Sequence, residues 1–501
     1  MKRLKIKVPP ERVVFLLLFV ATILLLFNIN KPFVGHHDWN GAFWGGITRN
    51  YLDNLSKFLG FTIGNTSDHV TDGEFIFFYH YTPLMPLLFT FSAAILGFSE
   101  MSLRLSTVFF SIIMLFFIYK IGEELYTKRV GVIAMALAMA TPMFLYFGKL
   151  PDHEPILTSL CTISFYFYIR LKKKNVRERY LFFLFLTLTL LESWGGFFLL
   201  GFMVVHSLLS SYENRSFVIK IISVGIAVIL FQFILIIFFH GKETLVTFVN
   251  YGLARMSVET SQSNIVRFTL PQFLLTEARY LTIYFTKILL VLSGLWGIWA
   301  LLRLKRGVGT VDLTLGILFF YGAFFVLFFR NLSYIHDYKL YLLLPFMAIS
   351  GAWMTEIIAA RLFKKRSFLK IIIVIILVVG VFTERWEYLR TLIFSSFDRP
   401  GYTLGQYIQS LTIPSEKTLV LSEEFDRFYG VFVRYYANRK VNSVDLRLSN
   451  LQKNPQIISE YRYVVVVDKR PVDNSLVLHL RKTYSLTSFG DYMFIDLEKE
   501  L

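Results

Sequence analysis

The first long apolar run of the chain, residues 13–28, is followed by the polar stretch Gly35-His36-His37-Asp38-Trp39-Asn40. Burying ionisable side chains in lipid is costly, so a polar stretch after an apolar helix marks a place where the chain returns to water. The pattern predicts a helix that ends at a membrane boundary, with a candidate functional site at its exit.

The composition excludes an ordinary soluble domain. Of the 501 residues, 55% are hydrophobic and 17% are aromatic, and they are grouped in repeated, mostly apolar runs. This is typical of a polytopic membrane protein. The net charge of +17 comes from short Lys and Arg clusters between the apolar runs, as in cytoplasmic loops that face anionic lipid. We therefore expect no nucleic-acid partner. The single cysteine, Cys161, excludes an intrachain disulfide.

The basic clusters also predict the topology. The apolar stretch 83–97 is short for a span. If it crossed the membrane, the clusters at 127–129 and 172–179 would lie outside, against the positive-inside rule. We therefore predict that this stretch is an interfacial helix. We also predict a multi-pass protein of the plasma membrane whose N-terminus lies on the cytoplasmic side. The predicted spans, eleven in number, are 13–28, 103–121, 130–148, 156–171, 180–191, 196–210, 217–239, 282–302, 311–329, 340–360 and 368–383.

Two domains follow from this assignment. Residues 1–384 form a transmembrane domain, with a first outer loop at 29–102 that contains interfacial helices. Residues 385–501 have the composition of a soluble domain, and the runs 418–421 and 463–467 are typical of buried strands. The fold class predicted is an α-helical polytopic membrane protein with a C-terminal extracytoplasmic α/β domain.

Nearly every histidine and many of the carboxylates of the membrane part fall in the predicted outer loops. The first loop carries His37, Asp38 and His80, and the second carries Asp152, His153 and Glu154. Later positions on the same side are Glu192, at the tip of a short helical hairpin, together with Arg255, Arg267, His336, Tyr338 and Lys339. Carboxylates beside cations near lipid suit a substrate that has a phosphate headgroup and a lipid tail.

Four stretches in this order resemble the GT-C membrane glycosyltransferases. They are Asp38 with 39–52, His80-Tyr81-Thr82-Pro83-Leu84, 99–106, and 148–152. Within that group, the first 350 or so residues look most like the dolichyl-phosphate-mannose protein mannosyltransferase and aminoarabinose transferase relatives (glycosyltransferase family 39-like). The chain departs from the family pattern at Trp39, where an Asp-Glu pair is usual, and at His80, where some relatives have Lys.

The resemblance implies inverting transfer of a sugar from a polyprenyl-phosphate carrier to an acceptor on the outer side. The acceptor is a hydroxyl of a protein, a lipid or a glycan. Asp38 corresponds to the first-loop acid and Asp152 to the second-loop acid, which makes them the catalytic candidates. A carboxylate can take the acceptor proton, and cations stabilise the departing phosphate. The donor-phosphate candidates are His80, Arg255, Arg267, His336, Tyr338 and Lys339, and the supporting candidates are His37, Glu154 and Glu192.

Several alternatives remain open at this point. Asp152 could cap the helix that begins near residue 156. A divalent cation could be held by His37, Asp38, Asp152, His153 and Glu154, which offer ligands that metals accept. A transporter or flippase of lipid-linked sugars would share the spans and basic loops, although it should carry ionisable groups near mid-membrane. A non-catalytic scaffold with an outer sensing domain would leave the Asp38 stretch unexplained.

Overall fold

The computed structural model describes residues 9–53, 80–210, 213–259, 266–306, 310–364, 366–422, 427–445, 455–467 and 475–500. Helices make up most of these residues, and the C-terminal part carries one small sheet. The chain divides into two compact units. The first unit comprises Met1–Ile29, Tyr79–Met85 and Arg104–Ile393; the second comprises Asn30–Phe78, Pro86–Leu103 and Phe394–Leu501. The domain boundary expected at 384/385 stays a prediction.

The helices up to residue 394 are α1 (Pro10–Leu26), α2 (Trp39–Asp53), α3 (Leu84–Leu96), α4 (Glu100–Leu125), α5 (Lys128–Ala140), α6 (His153–Arg170), α7 (Val176–Glu192), α8 (Gly195–Ser210), α9 (Arg215–His240), α10 (Thr244–Arg255), α11 (Leu270–Tyr284), α12 (Thr286–Lys305), α13 (Thr310–Phe328), α14 (Arg330–Ile335), α15 (Leu344–Leu362), α16 (Ser367–Glu384) and α17 (Trp386–Phe394). Every predicted span coincides with helical structure, because apolar segments of this length satisfy their backbone polar groups within one helix. Helices α10, α11, α14 and α17 were not predicted.

Within the described residues, five helical segments are long and apolar enough to cross a membrane. They are Glu100–Leu125, Arg215–Phe239, Thr286–Lys305, Val311–Phe328 and Asp337–Leu362. Two shorter apolar helices, Leu84–Leu96 and Gly195–Ser210, fall below that length.

Two of the predicted helices are interrupted beside polar segments of the chain, and a third, 282–302, contains the boundary between α11 and α12 at Phe285. The helix expected at 130–148 ends at Ala140, and a π-helical turn, Met143–Phe147, follows. Pro142 explains the break, because a proline disfavours the helical conformation of the residue before it, and Thr141 is indeed extended (ψ 142°). The segment expected at 340–360 begins as a 3₁₀ helix, Asp337–Leu343, before α15. Both interruptions adjoin polar segments of the chain, 148–152 and 336–339.

The C-terminal part of the second unit is an α/β sheet structure. Its elements are α18 (Arg399–Leu411), β1 (Lys417–Ser422), α19 (Arg427–Ala437), β2 (Lys440–Asp445), a 3₁₀ turn (Pro455–Glu460), β3 (Tyr463–Val467), α20 (Ser475–Thr483), β4 (Tyr484–Phe489) and β5 (Tyr492–Glu500). The strand order is β2-β1-β3-β5-β4. Strand β1 is parallel to β2 and β3, whereas β5 is antiparallel to β3 and β4. The two strands expected from sequence, β1 and β3, are confirmed.

Alternation along these strands builds two cores. Leu419 and Val464 face one side of the sheet with Val477 and Leu480 of α20. Val420 and Val465 face the other side with Leu404 of α18 and Val433 of α19. Because successive side chains of a strand point to opposite faces, continuous apolar runs are expected where both faces are covered. Tyr463-Val464-Val465-Val466-Val467 is such a run.

Candidate active site

The start of α6 brings three polar residues, Asp152, His153 and Glu154, into the first unit. Asp152 has an extended backbone, and its carboxylate accepts a hydrogen bond from the His153 N–H at 2.8 Å. Asp152 therefore caps α6, as predicted by the alternative in which Asp152 is a helix cap. Only 4% of Asp152, 2% of His153 and 3% of Glu154 is exposed to solvent, so all three are buried polar residues. Buried groups of this kind persist when they have partners.

His153 and Glu154 pair with residues from two other elements. The His153 Nδ1 atom lies 2.9 Å from the Glu192 Oε1 atom, and both side chains are buried. Glu192 ends α7, so the predicted hairpin tip between α7 and α8 delivers this carboxylate. The Lys339 ammonium, from the 3₁₀ segment, donates to the Glu154 carboxylate. The first unit therefore holds two buried side-chain contacts on consecutive residues, His153 with Glu192 and Glu154 with Lys339.

Aromatic rings border this cluster. The Tyr81 ring packs on the His153 ring with centroids 4.1 Å apart, and the Arg255 guanidinium lies 5.3 Å from the Tyr81 ring centroid. The Lys339 ammonium lies 4.8 Å from the ring centroid of Tyr338. Two predicted phosphate-binding cations, Arg255 and Lys339, thus border the same buried group of residues. Cations beside aromatic faces are attracted by the ring quadrupole, which holds them in place.

His80 differs in charge from these cations. Its carbonyl accepts a hydrogen bond from the Trp194 indole N–H at 3.0 Å, and its ring lies edge-on to Tyr251. Burial, together with the positive charge of Arg255, lowers the pKa of His80 to about 3. His80 is therefore neutral near pH 7, and it can offer a phosphate a hydrogen bond but no charge.

The remaining predicted residues of the first unit lie elsewhere. Arg267 forms an ion pair with Glu259 at 3.2 Å, and both side chains are largely exposed. His336 follows α14, with its ring centroid 5.2 Å from that of Tyr338. Within the described residues, His336 therefore contacts another predicted site residue, Tyr338, whereas the ion-pair partner of Arg267 is not one of the predicted site residues.

A second group of acids, Glu277 and Asp337, was not among the candidate residues selected from the sequence. Asp337 accepts a hydrogen bond from the Tyr284 hydroxyl, and the charge of Asp337 also acts on Glu277 of α11. Glu277 is buried, and neither of its carboxylate oxygens has a hydrogen-bond partner within the described part of the chain. Burial and the Asp337 charge raise the pKa of Glu277 from 4.5 to about 8. The amphipathic spacing of α11 was the available signal, because it places Glu277 on the same face as Phe273 and Tyr284, which are also buried.

Asp38 belongs to the second unit and lies immediately before α2. Its Oδ2 atom accepts hydrogen bonds from the Val34 N–H at 3.1 Å and the Gly35 N–H at 2.7 Å. The Ala42 N–H donates to the Asp38 carbonyl, so Asp38 occupies the position that precedes the helix. His37 has a left-handed backbone (φ 58°), and its ring centroid lies 4.0 Å from that of His36. Asp38 is 7% exposed, and its two hydrogen bonds from the backbone hold the carboxylate in a defined orientation.

The residues proposed for a divalent cation are shared between the units. His37 and Asp38 belong to the second unit, and the other three belong to the first. Within the first unit, Asp152 accepts from the His153 backbone, His153 contacts Glu192, and Glu154 contacts Lys339. These three side chains therefore make separate contacts, and a shared metal site stays a prediction.

Known proteins support the resemblance. Residues 80–239 match the family model described as dolichyl-phosphate-mannose-protein mannosyltransferase. No curated protein sequence matches the chain. Among solved structures, ArnT from Cupriavidus metallidurans bound to undecaprenyl phosphate has a TM-score of 0.67 at 12% identity, covering 96% of this chain and 97% of ArnT.

Two further solved structures extend this likeness. The oligosaccharyltransferase AglB from Archaeoglobus fulgidus, in complex with an inhibitory peptide and a dolichol-phosphate, has a TM-score of 0.61 at 13% identity, covering 97% of this chain and 74% of AglB. The arabinofuranosyltransferase AftD from Mycobacteria has a TM-score of 0.56 at 12% identity, covering 97% of this chain and 40% of AftD. The predicted resemblance is confirmed: this chain has the fold of the GT-C membrane glycosyltransferases.

Proposed function

We propose that this protein is an inverting membrane glycosyltransferase that moves a sugar from a polyprenyl-phosphate carrier to an acceptor hydroxyl on the extracytoplasmic side. The observation that carries the proposal is the buried Asp38 carboxylate, which two backbone N–H groups orient at the start of α2 in a chain of GT-C fold. The solved ArnT and AglB structures hold undecaprenyl phosphate and dolichol-phosphate, which supports a donor of this class.

The proposed reaction is a single displacement. The acceptor oxygen attacks the anomeric carbon from the face opposite the phosphate, and the bond between that carbon and the phosphate oxygen breaks. The electron pair of that bond leaves with the polyprenyl phosphate, and the hydroxyl proton passes to the Asp38 carboxylate. A carboxylate serves as this base because an acceptor hydroxyl is a poor nucleophile until its proton is removed.

Cations of the first unit are proposed to stabilise the phosphate that leaves. Lys339 is buried, and Arg255 borders the same group of residues through Tyr81. Positive charge in a water-poor site stabilises developing negative charge far more than it does in water. His80, being neutral, is proposed to donate a hydrogen bond to the donor, and Asp152 to support the site while it caps α6.

The proposed topology has eleven spans, a cytoplasmic N-terminus and an extracytoplasmic C-terminal domain. Five long apolar segments and the helical match at the other predicted spans support it. Labelling of a cysteine placed at Lys172 tests it. Reaction with a membrane-impermeant reagent from the outside of intact cells would contradict the proposed orientation.

The test of function uses the purified full-length protein and a radiolabelled polyprenyl-phosphate sugar, with protein, lipid and glycan acceptors offered in parallel. We expect Asp38→Asn to lower transfer by about 10²- to 10⁴-fold, the range for loss of a general base. Asp53→Asn, at the other end of α2, is the matched control and should retain activity. Undiminished transfer by Asp38→Asn would remove Asp38 from its role. Movement of the lipid-linked sugar between leaflets of proteoliposomes, without transfer, would instead favour a flippase.

A further inference from the structure

The turn that precedes Asp38, residues 33–36, is hydrogen-bonded to residues that lie more than 350 positions later in the chain. Residues 33–36 make three hydrogen bonds to the C-terminal part of the second unit. The donor and acceptor pairs are Phe33 N–H to the Tyr436 hydroxyl (2.6 Å), Asp398 N–H to the Val34 carbonyl (3.0 Å), and His36 N–H to the Ser395 hydroxyl (3.2 Å). Lys31 also donates to the Ser395 carbonyl. The turn is therefore held at nearly every residue.

The same turn orients the proposed base. Asp38 receives its two backbone hydrogen bonds from Val34 and Gly35, which lie between the anchored residues Phe33 and His36. A side chain added at Gly35 would place its Cβ 3.0 Å from both the Asp38 Oδ2 atom and the Ser395 hydroxyl. The turn thus lies between the carboxylate on one side and Ser395 on the other. Displacement of the turn would displace both N–H groups that hold the carboxylate.

Helix α19 supports the helix that Asp38 begins. A Cβ at Gly45 of α2 would lie 2.5 Å from the Tyr435 ring, so glycine allows the two helices to approach closely. The Arg49 guanidinium donates to the Tyr435 carbonyl at 3.0 Å and lies 4.6 Å from the Phe98 ring centroid. Both ends of the Asp38 segment, the turn before it and the helix after it, therefore contact α19.

We propose that Tyr436 and Ser395 are positioning residues for Asp38, and that the C-terminal α/β part acts in the transfer step by holding the turn 33–36. This inference rests on the proposed role of Asp38. It assigns to the C-terminal part a contribution to catalytic rate, separate from any binding of an acceptor. Positioning matters because a displacement of about 1 Å in a reacting group costs about 10²-fold in rate.

The test compares Tyr436→Phe, Ser395→Ala and the double variant with matched controls in the full-length protein. Tyr402→Phe removes a hydroxyl from the ring that packs on Tyr436, and Ser396→Ala removes one from the exposed neighbour of Ser395. The Tyr402 hydroxyl accepts a hydrogen bond from Gln406, and within the described residues no hydrogen bond joins it to residues 33–36. Hydrogen–deuterium exchange of the peptide that covers 30–40 reports the turn directly, without any substrate.

We expect each positioning variant to exchange roughly five- to tenfold faster in that peptide, as loss of one partly buried hydrogen bond implies. We also expect kcat to fall about tenfold for each single variant and about 10²-fold for the double variant, with KM for the lipid-linked donor unchanged. In the Asp38→Asn background, the same substitutions should leave the residual rate unchanged, because they act through Asp38. The control variants should match wild type in both measurements.

The possible outcomes separate the positioning role from the proposed function. Unchanged exchange in the positioning variants would overturn the inference, and so would faster exchange with an unaltered kcat. A general loss of thermal stability with a rise in KM would indicate a structural role only, which would also overturn it. If Asp38→Asn is fully active, the proposed function fails, whereas full loss in Asp38→Asn beside normal rates in Tyr436→Phe and Ser395→Ala refutes only the positioning role.

Discussion

The buried contact between Glu154 and Lys339 permits a quantitative test of the first unit. Their side chains are 4% and 5% exposed, and 185 residues separate them in sequence. Removing one partner of a buried ion pair leaves a charge without compensation and costs about 3–5 kcal/mol, whereas replacing both partners is often neutral. We therefore expect Lys339→Met and Glu154→Gln each to destabilise the protein by about 3–5 kcal/mol, and the double variant to recover most of that loss.

The assay is unfolding of the detergent-purified protein, followed by tryptophan fluorescence against temperature and against denaturant. Arg267→Met is the control, because its ion pair with Glu259 is largely exposed and such pairs contribute little. It should unfold as wild type does. Transfer activity is measured in parallel, and the double variant should be stable and inactive, since Lys339 is the proposed phosphate cation.

Additive losses would refute this reasoning. If the double variant is destabilised by the sum of the two single effects, the two groups do not compensate each other, and the buried pair is not the reason that either is retained. A stable and fully active double variant would retain the ion-pair argument and remove Lys339 from the donor site.

Two further predictions concern stability. The folded-state pKa of Glu277, about 8, lies above its ordinary value of 4.5, so ionisation should destabilise the folded protein progressively as the pH rises between these values. Glu277→Gln should thus match wild type in thermal unfolding near pH 5 and exceed it near pH 9; parallel melting profiles at both values would contradict the shift. Gly131→Ala should destabilise the contact of α5 with α4, because its Cβ would lie 2.4 Å from the Tyr119 carbonyl oxygen, whereas a Cβ at Gly294 meets no described atom within 4 Å. Equal melting temperatures for Gly131→Ala and Gly294→Ala would count against that close approach.

Most of the helical architecture could be predicted from local patterns. Apolar runs such as 217–239 and 368–383 coincide with α9 and α16 to within a few residues. In lipid, each backbone N–H and C=O must find a partner nearby, and a continuous helix provides it. Prediction from local patterns also explains the errors. The mostly apolar run 130–148 was predicted as one helix, but Pro142 interrupts it. Helices α10 and α11 are amphipathic, and their apolar content is too low for them to be predicted as spans.

The sequence by itself indicated a polytopic membrane protein through its composition and basic clusters, and the order of its motifs carried the resemblance to the GT-C glycosyltransferases. It also singled out Asp38, Asp152, Glu154, Glu192 and Lys339 as candidates. Only the tertiary structure decided their partners: Glu154 with Lys339, His153 with Glu192, and the turn before Asp38 with Ser395 and Tyr436. Such pairs join residues far apart in sequence, and which helix ends and loops meet depends on packing of the whole unit, which no local pattern encodes.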